Sequence, residues 1–346
     1  MPVLLLLLFS TMAHQFQSGA FFHGQAAWHG LGTVVDGTMP AREAFRLADA
    51  DWQVISTPIF DPTGTPIEGW QRIARADTDA TLSVKADSYT IVQNEQLIRI
   101  AEAVREDITM DAVVVLDGGK RVAFTALVNQ SEADVLPGDS VYQYLIGCTS
   151  HDGTVSFQTM FSPIRVVCQN TLSAALGHAE NKRMAKRRMS VRHTTNANAI
   201  IEKLPEIICF KRQQFTAGIE ELKIMATKPC LAADFRKYCE NVFADQLAGT
   251  TNDKRGDKTT QRPKKLEDLA CWDSIANKFN GEGIGFDIKG VQGTYWGAYQ
   301  AVSEYLTHDA GRSKDAIESA RQRLESIWWG NAANTLTKAH QLALAA

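Results

Sequence analysis

Cysteine is sparse in this chain: six in 346 residues (Cys148, Cys168, Cys209, Cys230, Cys239 and Cys271), none in a C-x-x-C pair. The uneven spacing lacks the close ligand pairs of a structural zinc site and the framework of a disulfide-stapled domain. These residues are therefore expected as buried or half-buried thiols in a reducing cytoplasm. Long apolar runs are also missing. The opening Met1-Pro-Val-Leu-Leu-Leu-Leu-Leu-Phe-Ser falls short of the ~18 residues a membrane span needs and has no basic flank for export. Residues 1–11 are read as a mis-called start or disordered extension rather than an export signal, with the protein beginning at Met12. No internal repeat is visible. What remains is ordinary globular composition, 45% hydrophobic and 22% charged, with room for two or three domains or one large one.

Net charge is only -3, but it is unevenly laid out. Residues 12–140 carry 9 basic and 18 acidic side chains, and residues 141–346 carry 27 and 21. Such asymmetry points either to a polyanion-binding half or to two faces of one solvated surface.

Pro40 opens a helix over 40–49, and Trp52–Phe60, Gly69–Arg75 and Ala80–Lys85 alternate as strands. Asn94 is expected to cap a helix over Glu95–Arg105. Two hairpins follow: Ala112–Leu116 with Arg121–Val128 about an Asp-Gly-Gly-Lys turn, then Ser140–Thr149 with Val155–Phe161 about Ser150–Gly153. Helical spacing governs the rest, over Asn196–Met225, Ala232–Ala248, Leu266–Lys278, Thr294–Leu306, Ser313–Trp328 and Asn331–Leu344. The fold class is α+β, a largely antiparallel sheet with helices in the N-terminal half and a mostly helical C-terminal half. The divisions are residues 1–11, a sheet domain over 12–178, a basic segment over 179–195, and a helical region over 196–346 with a mobile loop at 249–262.

The densest cationic feature is Lys182, Arg183, Lys186, Arg187, Arg188 and Arg192, six cations within eleven residues. On a helix the i,i+4 like-charge pairs repel unless an anion neutralises them. Phosphates would do so, with a salt slope of about -5 on duplex DNA; solvated surface is the plainer alternative. A second basic stretch, Lys254 to Lys265, could wrap a strand or tighten on a ligand; a solvated loop is the plainer reading. His151-Asp152 in the second hairpin turn, with Cys168 beyond it, raises a Cys/His nucleophile pair. Turn geometry accounts for His-Asp-Gly equally well, and Cys168 sits among apolar residues. Trp28-His29-Gly30-Leu31-Gly32 lacks both the P-loop lysine and G-x-G-x-x-G spacing. Asp77, Asp79 and Asp87 form no calcium-loop pattern. No metal or cofactor is expected.

Several segments in order then carry a resemblance: Ala27–Thr33, Tyr89-Thr90-Ile91-Val92-Gln93-Asn94, Ser150-His151-Asp152-Gly153, Phe161–Thr171, Val191-Arg192-His193-Thr194, Gly293-Thr294-Tyr295-Trp296-Gly297 and Ala301–Tyr305. Together they resemble the phage/plasmid-like family classed as domain of unknown function 932, from about Met12 to about Ala343, with Gln169 a small departure. The resemblance implies a gene carried on mobile elements and supplies no activity. Such elements often encode single-strand annealing proteins built on a curved antiparallel sheet. By that analogy the expected function is non-enzymatic: binding single-stranded DNA in the bacterial cytoplasm, with annealing and a homo-oligomer as extensions and no membrane. Arg165, at the strand-to-helix junction, would join the basic cluster as a phosphate contact. The alternatives are a metal-dependent or Cys/His enzyme acting on nucleic acid or nucleotide, using His151, Asp152 and Cys168, and a host-interaction protein.

Overall fold

A computed structural model describes residues 20–23, 33–35, 39–104, 108–165, 188–204, 215–248, 250–252, 258–260, 263–311, 319, 322–323, 326–327 and 330–346. Its centre is an eight-stranded sheet. The strands are β1 (Ala20–His23), β2 (Thr33–Val35), β6 (Ile108–Leu116), β7 (Arg121–Val128), β8 (Ala133–Leu136), β9 (Asp139–Ser150), β10 (Phe157–Arg165) and β11 (Arg188–Val191). They run in the order β11-β10-β9-β7-β6-β1-β2, with β8 added to the start of β9. Every pairing is antiparallel except β1 with β2. A separate three-stranded antiparallel sheet holds β3 (Val54–Phe60), β4 (Pro66–Arg75) and β5 (Thr81–Ala86).

Apolar residues on both sides of the central strands explain why both faces of the sheet are covered. Val113, Val115, Val122, Phe124 and Leu145 join a core with α1 (Ala41–Leu47) and α2 (Asn94–Ala103). Val114, Leu116, Ala123, Ile146 and Met160 point the other way, into a core built by the C-terminal helices. Those are α4 (Phe215–Thr227), α5 (Ala232–Val242), α6 (Ala244–Leu247), α7 (Trp272–Asn277), α8 (Tyr295–Glu304) and α9 (Asn331–Ala345), while the short α3 (Ala197–Ile201) follows β11. Strands thus dominate the first half and helices the second. Among the described residues no helix is long and apolar enough to cross a membrane.

Gly147 in β9 lies opposite Phe124 in β7, and a Cβ there would overlap the phenyl ring. Gly147→Ala should therefore cost about 1–3 kcal/mol by forcing that ring off its packing, read as a lower urea midpoint. A change under about 0.5 kcal/mol would show that Phe124 yields freely.

Three local expectations need correction. Asn94 does not cap α2: the cap position is Gln93, and the Asn94 side chain is buried and committed elsewhere. Within 249–262, expected as a loop, β12 (Thr250–Asn252) pairs with β13 (Lys258–Thr260), as its β-branched threonines favour. The helix expected over Leu266–Lys278 is a 3₁₀ turn at Leu266–Asp268 followed by α7. The helix expected over Ser313–Trp328 lies mostly outside the described residues, and Trp28-His29-Gly30-Leu31-Gly32 lies wholly outside them.

Candidate functional site

The β9–β10 turn is fixed by its own chemistry and by three neighbours. Asp152 Oδ1 accepts from Thr154 N at 3.0 Å and from its hydroxyl at 2.6 Å, while Gly153 supplies φ +69°, a side-chain-stabilised turn. From the β6–β7 turn, Lys120 O accepts from His151 N at 2.7 Å. From β5, Ser83 donates to His151 O at 2.7 Å, and Tyr89 donates to Ser150 O at 3.1 Å.

The His151 ring is fully buried, edge-on to Trp52 at 5.4 Å between centroids. Asn94 Nδ2 faces Trp52 O at 3.5 Å, leaving its Oδ1 to accept from His151 Nε2 at 2.9 Å. That bond puts the imidazole proton on Nε2, and Nδ1 is buried with no hydrogen-bond partner. Burial, seconded by the nearby His193, pushes His151 down to about 3 despite Asp152. It is neutral at physiological pH and a poor base.

His193, just past β11, stacks on Tyr89 with centroids 5.0 Å apart and planes 7° apart. Its Nδ1 lies 3.3 Å from Thr90 O and its Nε2 3.5 Å from Thr149 Oγ1. Burial lowers its pKa, and Lys85 pushes the same way. Lys85 Nζ sits 5.9 Å from the Tyr89 ring centroid. Burial and the Asp152 charge together raise the Tyr89 phenol. For Asp152, burial works upward, but the Thr154 bonds and the Arg121 charge leave it below its ordinary value. Three segments on which the family resemblance rests, Tyr89–Asn94, Ser150–Gly153 and Val191–Thr194, therefore meet at this sheet end.

β11 is one edge of the large sheet, its Arg188 in register with Met160 of β10. Arg192 is exposed beside the histidine cluster. Arg165 closes β10 opposite Val141, five residues beyond Met160 and so about 17 Å further along the strand. His151, Asp152 and Arg192 thus gather at one end and Arg165 lies toward the other. Lys182, Arg183, Lys186, Arg187 and Cys168 lie outside the described residues, so the Cys168 pairing has no geometry here. The exposed Phe60 and Trp70 belong to β3 and β4 of the small sheet, away from β11. Among the described residues no group of three or more His, Cys, Asp or Glu is arranged to hold a metal ion. Cys148, Cys230, Cys239 and Cys271 are buried thiols.

His193, Tyr89 and Lys85 escaped the reading by residue chemistry. For Tyr89 and His193 the signal was present only as the Tyr89–Asn94 and Val191–Thr194 segments, far apart in the chain, and Lys85 lies in neither. A family model described as domain of unknown function (DUF932) matches residues 81–328. No curated protein and no solved structure matches.

Proposed function

The chain belongs to the DUF932 family, and from that premise we propose a non-enzymatic protein that binds single-stranded DNA along the cationic margin of its large sheet. The observation carrying this reading is the course of the basic run: six cations between Lys182 and Arg192 lead into and past the edge strand β11, ending at an exposed Arg192. Backbone phosphates neutralise such a run, whereas the buried, neutral His151 supplies little as a base. Arg188 on the edge strand β11 also discourages strand-to-strand aggregation. Annealing of complementary strands by a homo-oligomer, in the cytoplasm of a cell hosting a phage or plasmid, extends the same reading.

Fluorescence anisotropy with a labelled single-stranded oligonucleotide tests it. Six neutralised phosphates give a log–log salt slope of about -4 on single strands. The Lys186→Ala/Arg187→Ala/Arg188→Ala variant should bind more weakly, with a slope shallower by about two. Absence of binding at low salt, or an unaltered slope in the variant, would sink the proposal.

A further inference from the structure

The outer face of the small sheet is apolar where solvent would favour polar residues. Direct partners across its strands share a side: Thr57 with Arg72, and Arg72 with Val84. Two-residue steps along the strands put Ile55, Ile59 and Trp70 on that same side. The opposite side meets the body of the protein. There Gln71 donates to Tyr89 O at 3.1 Å, Ser83 donates to His151 O at 2.7 Å, and Ile73 is fully buried. A half-solvated antiparallel sheet ordinarily turns its polar residues outward. Here Trp70 is 50% exposed and Val84 47%. Eight large apolar side chains are exposed among the described residues, and four of them, Phe60, Ile67, Trp70 and Val84, belong to this one sheet. Such a concentration marks a contact surface.

The two edges of this sheet differ. On β3, the Gln93 amide accepts from Val54 N and donates to Val54 O, both at 2.8 Å, and further on Pro58 has no N–H to offer. On β5, Asp87 N donates to Gly69 O at 3.1 Å. Antiparallel alternation then points the N–H and C=O groups of Val84 and Ala86 away from β4. Among the described residues no strand lies beyond β5. Charge is one-sided as well. Arg72 pairs with Asp79, Arg75 pairs with Asp49 and Asp77, and Lys85 turns inward to Tyr89. Glu68 and Asp87, both exposed and adjoining Gly69 beside Trp70, have no cationic partner among the described residues. Three strands ~4.8 Å apart and about five residues long make a face of about 240 Å², small against the ~800 Å² per partner of a stable interface between folded proteins. A second copy of the chain therefore fits poorly, and one added strand fits well.

From this geometry we infer that the small sheet docks an extended segment of another protein, added alongside β5. Its apolar side chains lie on the Trp70 and Val84 side, and a lysine or arginine meets Glu68 and Asp87 at one end. In such strand addition the backbone bonds supply affinity and alternate side chains supply selectivity. The probe is the fluorescein-labelled peptide Lys-Val-Thr-Phe-Thr-Val-Lys, compared with Glu-Val-Thr-Phe-Thr-Val-Glu, titrated by anisotropy into the full-length protein. The lysine peptide should bind saturably, one per chain, and about fivefold or more tighter than the glutamate peptide. Trp70→Ser should weaken it by about tenfold or more. Val84→Pro, which removes an outward N–H from an edge strand, should do the same. Both variants should keep the wild-type melting temperature and the wild-type affinity for the single-stranded oligonucleotide. The Glu68→Lys/Asp87→Lys variant should reverse the preference between the two peptides. Non-saturable or equal binding of the peptides, or unchanged binding in a folded Trp70→Ser protein, would overturn the inference. So would a dimer of the wild type that Trp70→Ser dissociates, or a loss of oligonucleotide binding in Trp70→Ser, which would give the face to DNA bases instead.

Discussion

Trp296→Ala should lower the free energy of unfolding by about 3–5 kcal/mol. The Trp296 indole has no exposed surface, and neither has Asp139, whose Oδ2 accepts from Trp296 Nε1 at 2.7 Å. Two losses combine. Removing the ring leaves a hole where α8 meets the sheet, and removing the N–H takes a donor from a buried carboxylate, itself worth about 1–3 kcal/mol. Trp296→Phe separates them: it keeps most of the packing and should lose only about the hydrogen-bond share. Urea unfolding of the two variants beside the wild type measures both quantities. Were Trp296→Ala to cost less than about 1.5 kcal/mol, Trp296 would be peripheral to the core rather than one of its centres.

Acidification is the second strong lever. Unfolded, His151 takes up a proton near pH 6.5; folded, buried and bonded to Asn94, it resists protonation down to about 3. Below pH 6.5 the unfolded chain therefore binds a proton that the folded one refuses, so stability complete above that pH is lost as pH falls. Each pH unit costs about 1.4 kcal/mol per such proton, or about 2 kcal/mol between pH 6.5 and 5. His193, lowered by burial and by Lys85, adds in the same direction. Asp77, Glu95 and Asp152 are all held below their ordinary values, so they titrate under this window. His151→Gln should flatten the pH dependence by about one proton's slope. A variant retaining the full wild-type slope between pH 6.5 and 5 would assign that proton elsewhere.

The hairpins were legible because their signals are local: β-branched runs on either side of Asp-Gly-Gly-Lys, and His-Asp-Gly at a turn whose aspartate bonds its own backbone. The position of α2 was legible for the same reason, but the role of Asn94 was not. Its residue type suits a cap, and only the folded chain shows that its amide serves His151, 57 residues away. The Tyr89–His193 stack joins residues 104 apart in number, and no periodicity encodes such a meeting. Strands β12 and β13, three residues each, are too short for alternation to emerge from a polar stretch.

The bond from Trp296 to Asp139 spans 157 residues, which bears on how the protein is made. At about 5–20 residues per second, synthesis separates the emergence of the two partners by about 8–30 s. Until α4 and α5 emerge, Val114, Leu116, Ala123, Ile146 and Met160 have a sheet face and no helices to cover it, and until α8 follows that cover lacks Trp296. A sheet face left partly uncovered for that long is the kind of transient apolar surface that aggregates, so folding of the first half is completed only by the late helices.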